Sequence, residues 1–281
     1  MKRSPDLPRL TKEMVLDAAK LSAPEARFLV SNYYQAQEER KRNDMQLRHL
    51  GDKTSPLLHF TADTSAKAEQ QVQRGLEKYA EGSPVGRWLL AQFGVGPVIA
   101  AGLLAHLDVT KSETAGGFWK FAGHDPSTKW EKGQKRPWNA ELKQLGFHFG
   151  ECAKRSSGSP DSFYGKFYRE RKAQLVARNE AGGNAERAKT YTTQSADVRA
   201  KLAEGKLPDG NIDRQACNIT FKMFLSHLHA VMYWDHYGKA PPKPFAIAVL
   251  GHAHEVRIPH IEMFPGFAET ASTAANGCTL Q

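Results

Sequence analysis

The densest chemistry in the chain lies in residues 124–139, HDPSTKWEKGQKRPWN. Ser127 and Thr128 are followed at once by Lys129, Lys132, Lys135 and Arg136. A serine hydroxyl among such cations could attack a phosphodiester, the cations stabilising the pentacovalent phosphate that forms. The same residues also suit a plain basic loop in which Ser127 caps a turn. The basic character continues through Lys143 and into SFYGKFYRERKAQLVARN, where Arg169, Arg171 and Lys172 alternate with Phe163, Tyr164, Phe167 and Tyr168. Residues 129–178 hold twelve Lys/Arg and five Asp/Glu, a surplus of seven within a chain whose net charge is +9. A concentrated positive segment favours a polyanionic partner, nucleic acid first.

Other chemistries find less support. Of eleven histidines, His227 and His229 sit two apart on an expected helix and point in different directions. His252 and His254 would share a face if their stretch, with Glu255 and His260 nearby, were a strand. No cysteine or clear third ligand joins them, so they read as surface histidines and no metal site is expected. The three cysteines, Cys152, Cys217 and Cys278, are odd in number and far apart, which makes neither a disulfide framework nor a zinc cluster. Phosphate-binding loops, dinucleotide fingerprints and zinc-finger spacings are missing, and no cofactor is evident. With no apolar run of membrane-spanning length and no apolar core behind the charged start, a cytoplasmic protein away from membranes is expected.

These side chains need positioning elements, and the sequence points to helices throughout. GRWLLAQFGVGPVIAAGLLAHL, Gly86 to Leu107, reads as two short helices joined by a glycine turn. Gly94 and Gly96 permit the turn, and Pro97 suits a first helical position. A helix–Gly-apolar-Gly–helix pattern is the signature of a helix-hairpin-helix, which holds DNA through N–H groups at a helix N-terminus. Upstream, residues 1–21 form a loose lead containing a short helix capped by Thr11. Ser22-Ala-Pro-Glu25 is a capping-box start for a long polar helix to about Leu50, and Thr64 to Tyr79 supplies an antiparallel partner. Residues 22–82 thus read as a helical hairpin or coiled-coil arm, with 22–80 able to join a second copy, or as two helices flanking the same core. Downstream, a short helix bearing Phe118, Trp119 and Phe121 should end at Gly123, another should span 140–155, and Asp161 should cap the aromatic-basic helix. Residues 180–210 are low in apolar residues and read as exposed or partly ordered helix, a poorly ordered insert. Ile212 to Tyr237 has the spacing of a strongly buried helix, ended by KAPPKP, and the tail 241–281 reads as a short strand or extended arm.

Taken in order, FGVGPVIAAGLLAHL, GGFWKFAGHDP, KRPWNAELK, SFYGKFYRERK and a late apolar helix carrying Arg214 resemble the C-terminal domain of one family. This is the DEDD insertion-sequence transposases with the similar Piv/MooV-type DNA invertases, the insertion-sequence-110, -116 and -902 group. Gly94, Gly96 and Pro97 stand where that family has its hairpin, and Ala122, Gly123 and Pro126 where it has an Ala-Gly-x-x-Pro turn. Asn139, Leu142 and Lys143 match its basic segment, and Phe163 and Tyr164 its aromatic-basic helix. The resemblance covers roughly 84–240, and it implies double-stranded or branched DNA as partner, with a guide RNA taking part in some relatives. It also implies a serine nucleophile in the loop after the Ala-Gly-x-x-Pro turn, where Ser127 stands without the usual Ser-Gly pair. The family's RNase H-like domain, with four metal-holding acidic residues, is expected to be absent, since nothing before residue 84 has strand pattern or suitable carboxylates. The family's Leu-Arg is Leu142-Lys143 here, and lysine lacks the bidentate fork of arginine.

The expectation is an all-α chain: a long helical hairpin, a helix-hairpin-helix-containing domain over 83–240, and a tail. Its first functional reading is DNA binding in transposition or site-specific recombination, as a truncated or accessory form. The expected DNA contacts are Gly94, Gly96, Lys129, Lys132, Lys135, Arg136, Lys143, Arg169, Arg171 and Lys172. The second reading is a strand-transfer enzyme using Ser127. The third makes the helical arms a protein-interaction device with no DNA role.

Overall fold

A computed structural model describes residues 9–51, 55–125, 127–193, 195–242 and 256–267. The fold is all-α, with 72% helix and no strand among the described residues. No described helix is long and apolar enough to cross a membrane. The chain divides into two compact units, one holding the residues up to Ala91 with Val95–Asp108, the other holding Gln92–Gly94 and the chain from Val109 onward.

The first unit begins with α1 (Lys12–Asp17), its N-terminus capped by the Thr11 hydroxyl, and a 3-10 turn over Ala18–Lys20. In α2 (Ala23–Leu50) the expected capping box forms: the Ser22 N–H donates to Glu25 at 2.7 Å. The next helix, α3 (Pro56–Glu81), starts earlier than the apolar spacing suggested. Ser55 caps it and Pro56 occupies its first turn, a pairing that suits a helix start. The early turns were missed because Leu57 and Leu58 lie exposed and build no buried stripe.

The two long helices run antiparallel, since Gln37 and Arg40 meet Glu69 while Asn43 reaches Ser65 at 3.2 Å. Their polar seam is internally satisfied: the buried Glu69 carboxylate accepts from Gln37 at 3.2 Å and pairs with Arg40. Burial alone would raise its pKa, yet hydrogen bonds from Arg40 and Gln37 bring it below the ordinary carboxylate value. Helices α4 (Pro84–Ala91) and α5 (Pro97–His106) group with α2 and α3, so the first unit runs on to Asp108 instead of ending at 82. The reason is burial. Trp88, Leu89, Leu103, Ala100 and Ala101 are fully enclosed, with α5 against α2 and α3, and Arg27 donates to the Ala105 carbonyl at 2.5 Å.

The second unit is built on α11 (Asp209–Tyr237), against which α6 (Ala115–Phe121), α7 (Ala140–Arg155) and α8 (Phe163–Glu180) pack. Its core stacks Phe149 on Phe224 at 4.2 Å, with Phe221 and Tyr164 around them. Helices α7 and α11 come close because two glycines, one turn apart, face the partner helix. A Cβ on Gly146 would lie 2.4 Å from Phe221, and one on Gly150 would lie 2.9 Å from Cys217.

One further expectation needs correction. Ser162, not Asp161, caps α8, its hydroxyl accepting from the Gly165 N–H at 3.1 Å. Within 180–210, as expected, there is helix, in two short pieces, α9 (Ala185–Lys189) and α10 (Ala196–Ala203). Few apolar residues suffice there because Ala188, Leu207 and Ile212 form a small core, and the Asn179 side chain ties the Leu207 backbone through both its N–H and its carbonyl. The described part of the tail holds a 3-10 turn over Ile261–Met263, seated by stacking of Phe267 on Trp234 at 4.9 Å, and residues 243–255 of the expected strand or arm lie outside the described residues. His252 and His254 lie outside the described residues.

Candidate nucleic-acid interface

The basic segment 124–139 leaves the second unit as a loop pinned at its base. The Asn139 N–H donates to the Phe121 carbonyl at 2.9 Å, and the Asn139 side chain then caps α7 by accepting from Leu142 at 2.8 Å. Gly123 turns with φ +70 and lies against the Trp138 ring, where any Cβ would come within 2.8 Å. Beside it, Asp125 accepts the Ser127 N–H at 2.9 Å and the Ser127 hydroxyl at 2.8 Å, while Thr128 donates at 3.3 Å. The Ser127 N–H and hydroxyl hold the Asp125 pKa below its ordinary value. A carboxylate that prefers to stay ionised is a weak general base, and these bonds describe a turn closed on Asp125.

Beyond this turn, Lys129, Lys132, Lys135 and Arg136 are all exposed, and none forms an ion pair among the described residues. Trp130 stands among them with its indole N–H donating to the Gln134 carbonyl at 2.8 Å, and Arg136 lies 5.8 Å from the ring centroid.

The loop continues into a strip where cations sit over rings. Lys143, near the start of α7, lies 4.1 Å from the Trp138 centroid. One turn later Phe147 carries the Arg214 guanidinium at 4.2 Å, and a turn beyond that Glu151 pairs with the same arginine at 3.2 Å. From α11, Lys222 covers Trp119 at 4.2 Å, and the Trp119 indole N–H donates to the Lys222 carbonyl at 3.0 Å. His124 sits edge-on to Phe221 at 5.1 Å. Burial first, then the charges of Lys143 and Lys222, lower its pKa to about 4. Burial lowers the Lys143 and Lys222 pKa values too. The sequence did carry a signal for this strip: Lys143, Phe147 and Glu151 recur every four residues, as do Arg214, Asn218 and Lys222. Single helices seen alone do not show that the two rows meet.

The cations expected on α8 behave differently. Arg169 donates to the Ser157 carbonyl at 2.8 Å, and Arg171 donates to Gln174 at 2.8 Å while lying over Phe167. Lys172 is drawn inward to Asp213 at 2.7 Å, where Lys154 pairs at 2.8 Å and the Tyr168 hydroxyl also donates. It is therefore an internal ion-pair partner, not an open cation. Glu151, Asp213 and Cys217 gather ligand atoms within 4.8 Å of one another. Lys154, Lys172 and Arg214 already compensate the two carboxylates, and burial, with Asp213, pushes the Cys217 thiol up to about 11. The set is a salt-bridge network by its partners.

In the hairpin, Gly94 adopts φ +88, which favours glycine, and the turn leaves Phe93, Gly94 and Gly96 exposed. Gly96 is the extended N-cap of α5, and an added Cβ there would meet nothing within 4 Å.

No protein-family model, curated protein or solved structure matches this chain.

Proposed function

We propose that the chain is a DNA-binding protein acting in transposition or site-specific recombination, gripping the phosphate backbone through the basic loop of its second unit. One observation carries the reading: four exposed cations, Lys129, Lys132, Lys135 and Arg136, stand together without a described carboxylate partner. Clustered, unneutralised cations on a pinned loop are the footprint that a polyphosphate requires, since each contact releases a condensed counterion. In the first unit, the exposed Gly96 at the start of the ten-residue α5 supports a separate phosphate contact of this reading, made by backbone N–H groups. Gly94 stays in this reading as a contact of the second unit.

Strand transfer by Ser127 draws less support. Its hydroxyl donates to a carboxylate held in the ionised form, which orders a turn without supplying an activated nucleophile.

The test is fluorescence anisotropy of the full chain on duplex and branched DNA across a salt series. Wild type should bind with affinity falling steeply as salt rises. Lys129→Gln/Lys132→Gln/Lys135→Gln/Arg136→Gln should lower the slope of log affinity against log salt by about 3 to 4. Weak, salt-insensitive binding by wild type would leave the helical protein-interaction reading in its place.

A further inference from the structure

Two tryptophans belong to the basic loop, and they are held in opposite ways. Trp138 is packed between Gly123, whose added Cβ would lie 2.8 Å from the ring, and Lys143 at 4.1 Å from its centroid. Trp130 remains 37% exposed, although its indole N–H is fixed on Gln134 and its ring stands edge-on to Trp138 at 6.1 Å. Phe147 is 46% exposed, with the Arg214 guanidinium against its ring. Lys143, one turn ahead of Phe147 on α7, links the two exposed rings through Trp138.

A ring that is both fixed and exposed loses little freedom when another flat group lies on it. In an intact duplex the base faces are hidden by stacking, and the grooves present only base edges. For a duplex, the loop cations alone would supply phosphate contacts. An unpaired strand offers open base faces alongside its phosphates, and exposed aromatic rings beside cations match both. The aromatic residues of α8 contrast with these, because Tyr164, Phe167 and Tyr168 are buried in the core.

We propose that the face formed by the 124–139 loop and the α7–α11 pair binds single-stranded DNA. Unpaired bases stack on Trp130 and Phe147, and Lys129, Lys132, Lys135 and Arg136 hold the phosphates. The inference rests on the DNA-binding reading above and names the form of DNA that this face takes.

The experiment titrates the full chain with an oligothymidylate of about 20 nucleotides, an abasic strand of equal length, a blunt duplex and an oligouridylate, at one salt concentration. Oligothymidylate should quench tryptophan fluorescence and bind about tenfold more tightly than the abasic strand, which keeps the phosphates and removes the bases. Trp130→Ala and Phe147→Ala should each weaken oligothymidylate binding about tenfold and leave duplex binding within about twofold. Trp130→Phe should retain most of the wild-type affinity, and thermal unfolding checks that each variant folds. The abasic comparison uses wild type alone, so it stands even if a variant does not fold. Equal binding of the abasic and base-bearing strands overturns stacking, as do alanine variants that bind oligothymidylate like wild type. Oligouridylate bound in place of oligothymidylate overturns the assignment to DNA. Duplex binding without single-strand binding removes this inference alone, whereas no binding to any of the four removes the DNA-binding reading with it.

Discussion

Two stretches of the second unit look alike in sequence and differ in structure. The loop 124–139 and the helix α8 both mix lysine and arginine with aromatic rings. On α8 Tyr164, Phe167 and Tyr168 turn into the core, and three cations find acceptors: Arg169 takes a backbone carbonyl, Arg171 a glutamine, and Lys172 the Asp213 carboxylate, the one acceptor that neutralises its partner. In the loop the cations have no described carboxylate and Trp130 stays at the surface. Charge density along a chain therefore says where cations are, while their partners decide whether any charge is left for a ligand. The loop is an open basic surface, and the Lys172–Asp213 pair of α8 is a closed one.

The sharpest way to break this contrast is to neutralise each region and read binding and stability together. Replacing Lys129, Lys132, Lys135 and Arg136 by glutamine should weaken DNA binding on the order of a thousandfold at 0.1 M salt, from four lost phosphate contacts. The thermal midpoint should hold, because these side chains support no described ion pair. In the closed region the effect reverses. Asp213→Ala strands Lys154, Lys172 and the Tyr168 hydroxyl beside a core helix. With the two lysine side chains 42% and 38% exposed, the loss is smaller than for a fully buried pair, about 2 to 3 kcal/mol. That corresponds to a midpoint lowered by about 5 to 10 °C with DNA affinity nearly unchanged. A variant of either kind that moved both readouts equally would erase the distinction.

Acid separates His124 and His227 from Asp213 by pH window. His124 lies beneath the open face near Lys143 and Lys222, and its pKa is lowered to about 4 by burial and then by those two lysines. A folded-state pKa below the unfolded value means that the unfolded chain binds the proton first. The stability contribution is full above about pH 6.5 and drains away as pH falls towards 4. The buried His227, bonded to the Tyr164 hydroxyl at 2.9 Å, is likewise lowered to about 4 by burial and titrates in the same window. Asp213 behaves differently. Burial would raise its pKa, but hydrogen bonds from Lys154, Lys172 and Tyr168 hold it far below the usual carboxylate range. Its contribution is complete above about pH 4 and is lost only below that. Thermal midpoints should therefore begin to fall below pH 6.5, and His124→Gln should recover about 1 to 2 kcal/mol of that loss at pH 4.5. If His124→Gln left the profile unchanged, His124 would not be held neutral by its surroundings.

Much of the scaffold was legible because local rules decide it. The Ser22–Glu25 capping box and the Asn139 start of α7 each depend on a few neighbouring residues, and each helix starts where the pattern put it. The end of α11 at Tyr237 also stands where expected, capped by Gly238 in the left-handed conformation ahead of the prolines. The start of α3 and the small core that seats residues 180–210 were not legible, because both depart from the expected apolar stripe. In the first, Leu57 and Leu58 face outward; in the second, three residues from separate segments make the small core. The loop cations could be named from composition, whereas the inward turn of Lys172 could not. That turn depends on Asp213, forty-one positions away in sequence.

The smallest expected effect is also the most discriminating for α8. Arg171 is partly covered by Phe167 at 5.1 Å and bonded to Gln174, both on its own helix. Surface contacts of this kind contribute little, so Arg171→Gln should change stability by less than about 0.5 kcal/mol. If α8 were a DNA track, losing Arg171 would still remove one phosphate contact and lower the salt slope by about 0.9. If α8 is closed, the slope should stay at the wild-type value. Lys172 cannot make this test cleanly, since replacing it also unpairs Asp213. Arg171 can, because its described bonding partner, Gln174, is uncharged. A slope lowered by a full contact would extend the open surface onto α8, and a constant slope would confine it to the loop and the ring-bearing face beside it.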